Sequence, residues 1–298
     1  MKIVNSLSLC IICFSMLLSS CLNTETEPTV SFEQQWAKDT TSIGVHLRAK
    51  SINALKDVSG VRFVIDSLAK GFPPKNASTV TFTYKGTFLS GTAFDQGTIT
   101  GLVNSFIPGF QVALQLMPKG SKARFFIPSG YAYGVNGSGN IPPNSNLVFE
   151  IFLKDVAVTE VEKQQLKTDT VAIDSYLATN AINAVRDKSG LRYVVTQVGT
   201  GAVPGLYDKI KLTYTGKVLA NGSVFFAGTS QPTATLDSRV IGYIYAFQVG
   251  LPKLKVGSKA TFYVPSGLGF GTQSVTGSVS VPPNSNLIYE IELDAIVK

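Results

Sequence analysis

Gly120-Ser121-Lys122-Ala123-Arg124-Phe125-Phe126-Ile127-Pro128-Ser129-Gly130 returns later in the chain as Gly257-Ser258-Lys259-Ala260-Thr261-Phe262-Tyr263-Val264-Pro265-Ser266-Gly267. Downstream of it, Pro142-Pro143-Asn144-Ser145-Asn146-Leu147-Val148-Phe149-Glu150-Ile151 returns as Pro282-Pro283-Asn284-Ser285-Asn286-Leu287-Ile288-Tyr289-Glu290-Ile291. Upstream, Ser59-Gly60-Val61-Arg62-Phe63-Val64 matches Ser189-Gly190-Leu191-Arg192-Tyr193-Val194, and the distance from Gly60 to Tyr84 equals that from Gly190 to Tyr214. A period this long marks a duplicated domain rather than a solenoid unit. The copies span residues 43–157 and 172–298, joined by a charged linker over 158–171 that has helical character. The length of 298 residues suits two domains of ordinary size.

Within each copy the strand signals dominate. Thr79-Val80-Thr81-Phe82-Thr83-Tyr84 and Lys209-Ile210-Lys211-Leu212-Thr213-Tyr214 alternate with period two, as half-buried strands do. The stretches 124–127 and 147–153 add β-branched and aromatic runs. One helix stands out. Pro108 suits its first turn, and Phe110, Ala113, Leu114 and Met117 form one apolar stripe that Gly120 closes. A further small helix precedes each copy's first strand, carrying Ile43, His46 and Leu47 or Ile173, Tyr176 and Leu177. The expected class is α+β, with an antiparallel sheet wrapped around a short central helix in each domain.

The N-terminus reads as an export signal. Lys2 supplies a minimal charged region, and the apolar run over 7–18 is too short to span a bilayer. Leu18-Ser19-Ser20-Cys21 looks like a bacterial lipobox, which makes residues 1–20 a signal peptide and Cys21 the lipidated N-terminus. The alternative is a plain secretory signal in which Cys21 is incidental. Cys10 and Cys13 fall in the removed segment, so the mature chain has no disulfide. Residues 21–42 then form a lipidated tether, polar at its start with Glu25, Glu27 and Pro28.

Composition narrows the chemistry. The 26 basic and 19 acidic residues give +7, spread without a Lys/Arg block, which argues against nucleic acid as a partner. One histidine and three cysteines argue against a closed zinc site, and no cofactor is implied. His46 aligns with Tyr176 on an apolar helix stripe and reads as a packing residue. Acyl transfer by a triad lacks its histidine partner. Gly134-Val135-Asn136-Gly137-Ser138-Gly139 lacks the lysine and helix of a phosphate loop and reads as a flexible hairpin loop.

Tyr84-Lys85-Gly86, Phe94-Asp95, Phe106-Ile107-Pro108-Gly109-Phe110, Tyr131-Ala132-Tyr133-Gly134, Ile141-Pro142-Pro143 and Leu147-Val148-Phe149, in that order, resemble the FKBP-type peptidyl-prolyl cis-trans isomerases. The resemblance covers residues 58–155 and, more loosely, 188–298. With the lipobox in front, the chain is similar to exported FKBP-type lipoproteins of diderm bacteria, anchored to a membrane and facing the periplasm or residing in the outer membrane. The resemblance implies a substrate class of proline-containing polypeptides. It implies an apolar bowl lined by Tyr84, Phe94, Phe106, Ile107, Phe110, Ile141 and Phe149. Phe110 would be its floor, where most of the family carries tryptophan. Tyr133 would donate to a substrate carbonyl, and Asp95 would orient nearby hydrogen bonds.

The second copy departs from this pattern. Tyr214 and Phe225 remain, but Phe226 stands where Asp95 stands, and Phe270 replaces Tyr133 and cannot donate a hydrogen bond. Tyr243, Ile244, Phe247, Val281 and Tyr289 keep that bowl apolar, so the first copy is expected to be the more active. In the first copy only eleven residues separate Asp95 from Ile107, where the family has a longer segment with another aromatic wall and a basic residue. The leading expectation is an isomerase assisting folding of exported proteins. The rivals are a non-catalytic chaperone or peptide-binding lipoprotein and, from a third class, a carbohydrate-binding surface lipoprotein.

Overall fold

The computed structural model describes residues 30–69, 71–229, 239–276 and 280–297. Cys21, the signal segment 1–20 and the polar stretch 22–29 lie outside the described residues.

Helix α1 (Phe32–Ala49) precedes β1 (Leu55–Lys56), β2 (Arg62–Ser67), β3 (Thr79–Phe88) and β4 (Ala93–Leu102). The short helix α2 (Pro108–Gln115) follows, then β5 (Lys122–Ile127) and β6 (Leu147–Val156). The same order repeats as α3 (Glu160–Thr179), β7 (Val185–Arg186), β8 (Arg192–Gln197), β9 (Lys209–Val218), β10 (Val224–Thr229), α4 (Tyr245–Gly250), β11 (Lys259–Val264) and β12 (Leu287–Val297). Each set builds a six-stranded antiparallel sheet, ordered β1-β2-β5-β6-β3-β4 and, equivalently, β7-β8-β11-β12-β9-β10. The duplication read from the sequence is thus a duplication of topology.

Alternation assigns the two faces of each sheet. Val80 and Phe82 of β3, Phe125 of β5 and Phe149, Ile151 and Leu153 of β6 turn inward and close a core with Phe110, Ala113 and Leu114 of α2. Pro108 starts α2, since a missing N–H costs nothing in a first turn. On the opposite face, Ile43 and Leu47 of α1 pack against Phe126, the neighbour of Phe125 that points the other way. In the second copy Ile173 and Leu177 of α3 meet Tyr263 and Ile288 in the same manner. His46 sits half-buried on this outer face with its ring 5.8 Å from that of Phe126.

The helices before each sheet are longer than the sequence suggests. The tether expected over 21–42 gives way to helix from Phe32, and most of the linker expected over 158–171 is the first half of α3. Their apolar stripe is narrow, and two of its members are the buried carboxylates Asp39 and Asp169, which a hydrophobic pattern cannot reveal. Thr159 and Glu162 start α3 with a reciprocal capping box. Asp39 Oδ2 accepts hydrogen bonds from the Ser129 N–H (2.8 Å) and Oγ–H (2.6 Å), and Oδ1 accepts one from Gln35 Nε2 (2.7 Å). Asp169 repeats this with Ser266 (2.9 and 2.6 Å) and Gln165 (2.8 Å).

The two copies touch. The Tyr207 hydroxyl donates to the Leu116 carbonyl (2.6 Å) at the end of α2, and its ring meets Phe63 edge-on at 5.8 Å. Phe72 meets Tyr245 at 5.8 Å, and Lys75 Nζ donates to the Gly267 carbonyl at 3.0 Å.

Candidate functional site

Nine side chains singled out in the first copy come together in one cleft of about 460 Å³: Tyr84, Phe94, Asp95, Phe106, Ile107, Phe110, Tyr133, Ile141 and Phe149. They arrive from β3, β4, the start of α2, the loop after β5 and β6. The inner-face alternation of β3 carries Phe82 into the core and sets Tyr84 at the lip. Phe110 lies at the base, almost buried, with ring centroids 4.5 Å from Phe149, 5.5 Å from Phe82 and 6.1 Å from Tyr84. Phe94 meets Phe149 edge-on at 5.6 Å. Most of these contacts are steeply tilted or edge-to-face, the arrangement that aromatic quadrupoles favour.

Gly86 makes the close aromatic wall attainable. A Cβ there would lie 2.5 Å from Phe94 Cζ and 2.8 Å from Phe149 Cε1. Only a residue without a side chain lets both rings close over β3. Gly216 plays the same part in the second copy, where a Cβ would meet Phe225 at 2.5 Å and Tyr289 at 3.0 Å.

Asp95 faces Gly86 across the β3–β4 ladder. Its Oδ2 accepts a 2.5 Å hydrogen bond from the Tyr84 hydroxyl, and its Oδ1 accepts the Gln96 N–H at 2.8 Å. Burial, the hydrogen bond to Asp95 and that carboxylate's charge push the Tyr84 phenol up to about 12. Burial and the Asp95 charge raise Tyr133 as well, so its hydroxyl remains a proton donor at neutral pH.

The sign of the Tyr84 effect gives a direct test. A phenol whose folded pKa lies above the ordinary 10 contributes stability that is intact below pH 10 and is lost as pH rises through about 12. Asp95→Asn should bring Tyr84 back toward, though not to, its ordinary value, since burial persists. Difference titration of phenolate absorbance between the parent and this variant measures the shift. Superimposable curves would dissolve the assigned Tyr84–Asp95 pairing.

Four residues of the cleft were not anticipated: Ile99, Ser105, Ser138 and Asn140. Ile99 faces Phe82 across the ladder, so continuing the strand alternation past Asp95 would have found it. Ser138 lies in the glycine-rich segment 134–139, where a hairpin loop is expected, and Asn140 follows it directly. Ser138 and Ile141 exchange backbone hydrogen bonds of 2.9 and 2.8 Å, and the Asn144 N–H closes on the Gly134 carbonyl at 2.8 Å. Gly137, at φ +65°, has no room for a Cβ beside the Ile141 carbonyl, which would lie at 2.4 Å. This tied turn is what aims Ile141 into the cleft.

In the second copy Phe226 occupies the register of Asp95, opposite Gly216. It stacks on Tyr214 at 4.4 Å and 19°, filling with a ring the place where the first copy keeps its carboxylate–phenol bond. Phe247 lies 4.9 Å from Tyr289 and 5.7 Å from Tyr243, and Phe225 lies 5.9 Å from Phe270. Val281 is buried and bridges to Val275, while Ile244 sits at the N-cap position of α4. The aromatic shell is retained without the Asp95 and Tyr133 polar groups.

The family model of FKBP-type peptidyl-prolyl cis-trans isomerases matches residues 71–154 and again 201–294, more than half of the chain. The chain belongs to this family. An FKBP-type peptidyl-prolyl cis-trans isomerase FkpA of Aeromonas hydrophila is 39% identical over 110 residues, 35% of this chain and 41% of that protein. The outer membrane protein MIP of Legionella longbeachae is 40% identical over 104 residues, 33% of this chain and 45% of that protein. The chain thus spans less than half the length of these curated relatives. A crystal structure of a peptidyl-prolyl cis-trans isomerase from Pseudomonas syringae is 30% identical, covering 41% of this chain and 96% of that one, with a TM-score of 0.37. Both family matches fall on the two six-stranded sheets, so this is a tandem FKBP chain of class α+β.

Proposed function

We propose that the first FKBP domain, residues 32–157, isomerises X-Pro bonds of folding polypeptides in its aromatic cleft without a covalent step. The observation that carries this reading is the convergence of all nine residues on one cleft, with Asp95 and Tyr133 as its polar groups. Rotation about an X-Pro bond must break amide resonance, a barrier of about 20 kcal/mol. The twisted transition state has lost much of that resonance and is less polar at oxygen. A bowl of Phe94, Phe106, Phe110 and Phe149 therefore favours it over the planar ground state, and differential binding lowers the barrier. Tyr133 donates to a carbonyl of the substrate. Asp95 holds the Tyr84 phenol at the lip, leaving the apolar base for the proline ring.

The second domain, residues 159–297, we read as a binding partner of weak or no turnover, because the Phe226–Tyr214 stack takes the place of the acid–phenol pair. The lipobox ending in Cys21 supports an exported, lipid-anchored protein acting on proline-containing polypeptides beyond the cytoplasm. A relative named as an outer membrane protein fits that placement. A proline-limited refolding assay with the chain from residue 22 onward tests the reading. Asp95→Ala combined with Tyr133→Phe should slow catalysis about tenfold or more with the fold intact, the loss of one or two oriented hydrogen bonds. Phe270→Ala in the second domain should leave the rate unchanged. No acceleration by the folded parent would end the isomerase reading in favour of a binding lipoprotein.

A further inference from the structure

The first sheet has two very different edges. One is β1, only two residues long. The other is β4, ten residues long, and among the described residues no strand or bridge pairs with its outer side. In an antiparallel ladder every second residue turns its N–H and C=O away from its partner strand, so this edge presents a row of unpaired donors and acceptors. A long free edge is a hazard that proteins ordinarily suppress with lysine, proline, short strands or bulges. The β4 sequence Ala93-Phe94-Asp95-Gln96-Gly97-Thr98-Ile99-Thr100-Gly101-Leu102 contains no lysine and no proline. Its one charge, Asp95, is engaged with Tyr84. The only break in register lies at Gly86/Thr87, and pairing runs on evenly from Gly86–Asp95 to Thr79–Leu102. Gly97 and Gly101 leave the strand slim, and all but Phe94, Ile99 and Gly101 are exposed.

This unprotected edge is continuous with the cleft, because Phe94, Asp95 and Ile99 of the same strand line it. We propose that the outer edge of β4 is a docking strand for the extended polypeptide that flanks a proline seated in the cleft, pairing with it backbone to backbone. The inference rests on reading the cleft as a prolyl site. Its occupant follows from chemistry. The residue before a proline is already biased to extended conformations, so a client leaves the cleft in the geometry that strand addition requires. Backbone pairing ignores side-chain identity, as a protein that meets many unfolded chains needs. The polar but uncharged outer residues Gln96, Thr98 and Thr100 repel neither acidic nor basic clients.

The test uses the isotope-labelled chain from residue 22 onward and three kinds of peptide. One is a blocked tetrapeptide containing an X-Pro bond. The second carries the same tetrapeptide extended by six Val/Thr/Ser residues on its N-terminal or its C-terminal side. The third repeats the extended peptides with alternate tail amides methylated. One extended peptide should bind about tenfold more tightly than the tetrapeptide and slow hydrogen exchange at alternate β4 amides. Methylation of its tail should return the affinity to that of the tetrapeptide. Equal affinities with β4 exchange unchanged would overturn the docking strand while leaving the prolyl cleft standing. Failure of every peptide, the tetrapeptide included, to shift the signals of Phe110, Phe149 and Tyr84 would overturn the cleft reading and the docking strand with it.

Discussion

Phe110→Ala should remove about 3–5 kcal/mol of stability from the first domain and abolish the proline isomerisation proposed for it. The side chain is 6% exposed and touches the rings of Phe82, Tyr84, Phe106 and Phe149, so its loss opens a cavity under the cleft and deletes the cleft's base together. A domain of this size has about 5–15 kcal/mol in all, so the variant should melt far below the parent in calorimetry. Phe110→Leu keeps much of the volume and should fold, losing about 1–2 kcal/mol together with the edge-to-face contacts. The counterpart Phe247→Ala, its side chain only 1% exposed and 4.9 Å from Tyr289, should cost similar stability yet leave the isomerisation rate of the surviving first domain intact. A folded Phe110→Ala chain with parental turnover would remove Phe110 from the site altogether.

The contrast between Phe110 and Phe247 explains why so much of the site could be read from the sequence. Tyr84, Phe110 and Phe149 are placed by strand alternation or by the stripe of a short helix, and both patterns are local. Phe94 sits at a register shift and Phe106 outside any strand or α-helix, so only their place in the ordered FKBP-like series makes them legible, as it makes Phe226 legible as a departure from it. What escaped was set by contacts that no local pattern encodes. Ser138 and Asn140 reach the cleft because backbone hydrogen bonds fold a glycine-rich stretch back on itself. The first halves of α1 and α3 looked like tether and linker because polar residues outnumber apolar ones there. Asp39 anchors α1 through a serine 90 residues away, and a buried carboxylate reads in sequence as a solvated one.

That anchor should matter for turnover as well as for folding. Asp39, 2% exposed, gives one oxygen to both the N–H and the hydroxyl of Ser129, which is itself fully buried. Ser129 opens the 3-10 turn Ser129–Tyr131 that leads directly to Tyr133, and Phe32 of the same helix lies against Gly130 and 6.5 Å from the Tyr131 ring. Asp39→Ala leaves two buried donors without an acceptor. Hydrogen bonds to a charged group contribute about 1.5–3 kcal/mol each, so the domain should lose about 3 kcal/mol, roughly 10 °C in melting temperature. The turn would then be free to shift, and with it the Tyr133 hydroxyl proposed to donate to a substrate carbonyl. The rate constant of the bound complex should fall several-fold while binding, carried by the aromatic base, changes little. Asp39→Asn retains one acceptor oxygen in the same shape and should recover part of both losses. Asp169→Ala breaks the identical anchor in the second domain, at Ser266, and should match the stability loss without touching the rate. Equal effects of Asp39→Ala and Asp169→Ala on turnover would reduce the anchor to a generic stabiliser. A fall confined to Asp39→Ala ties α1, a helix outside the sheet, to the geometry of Tyr133.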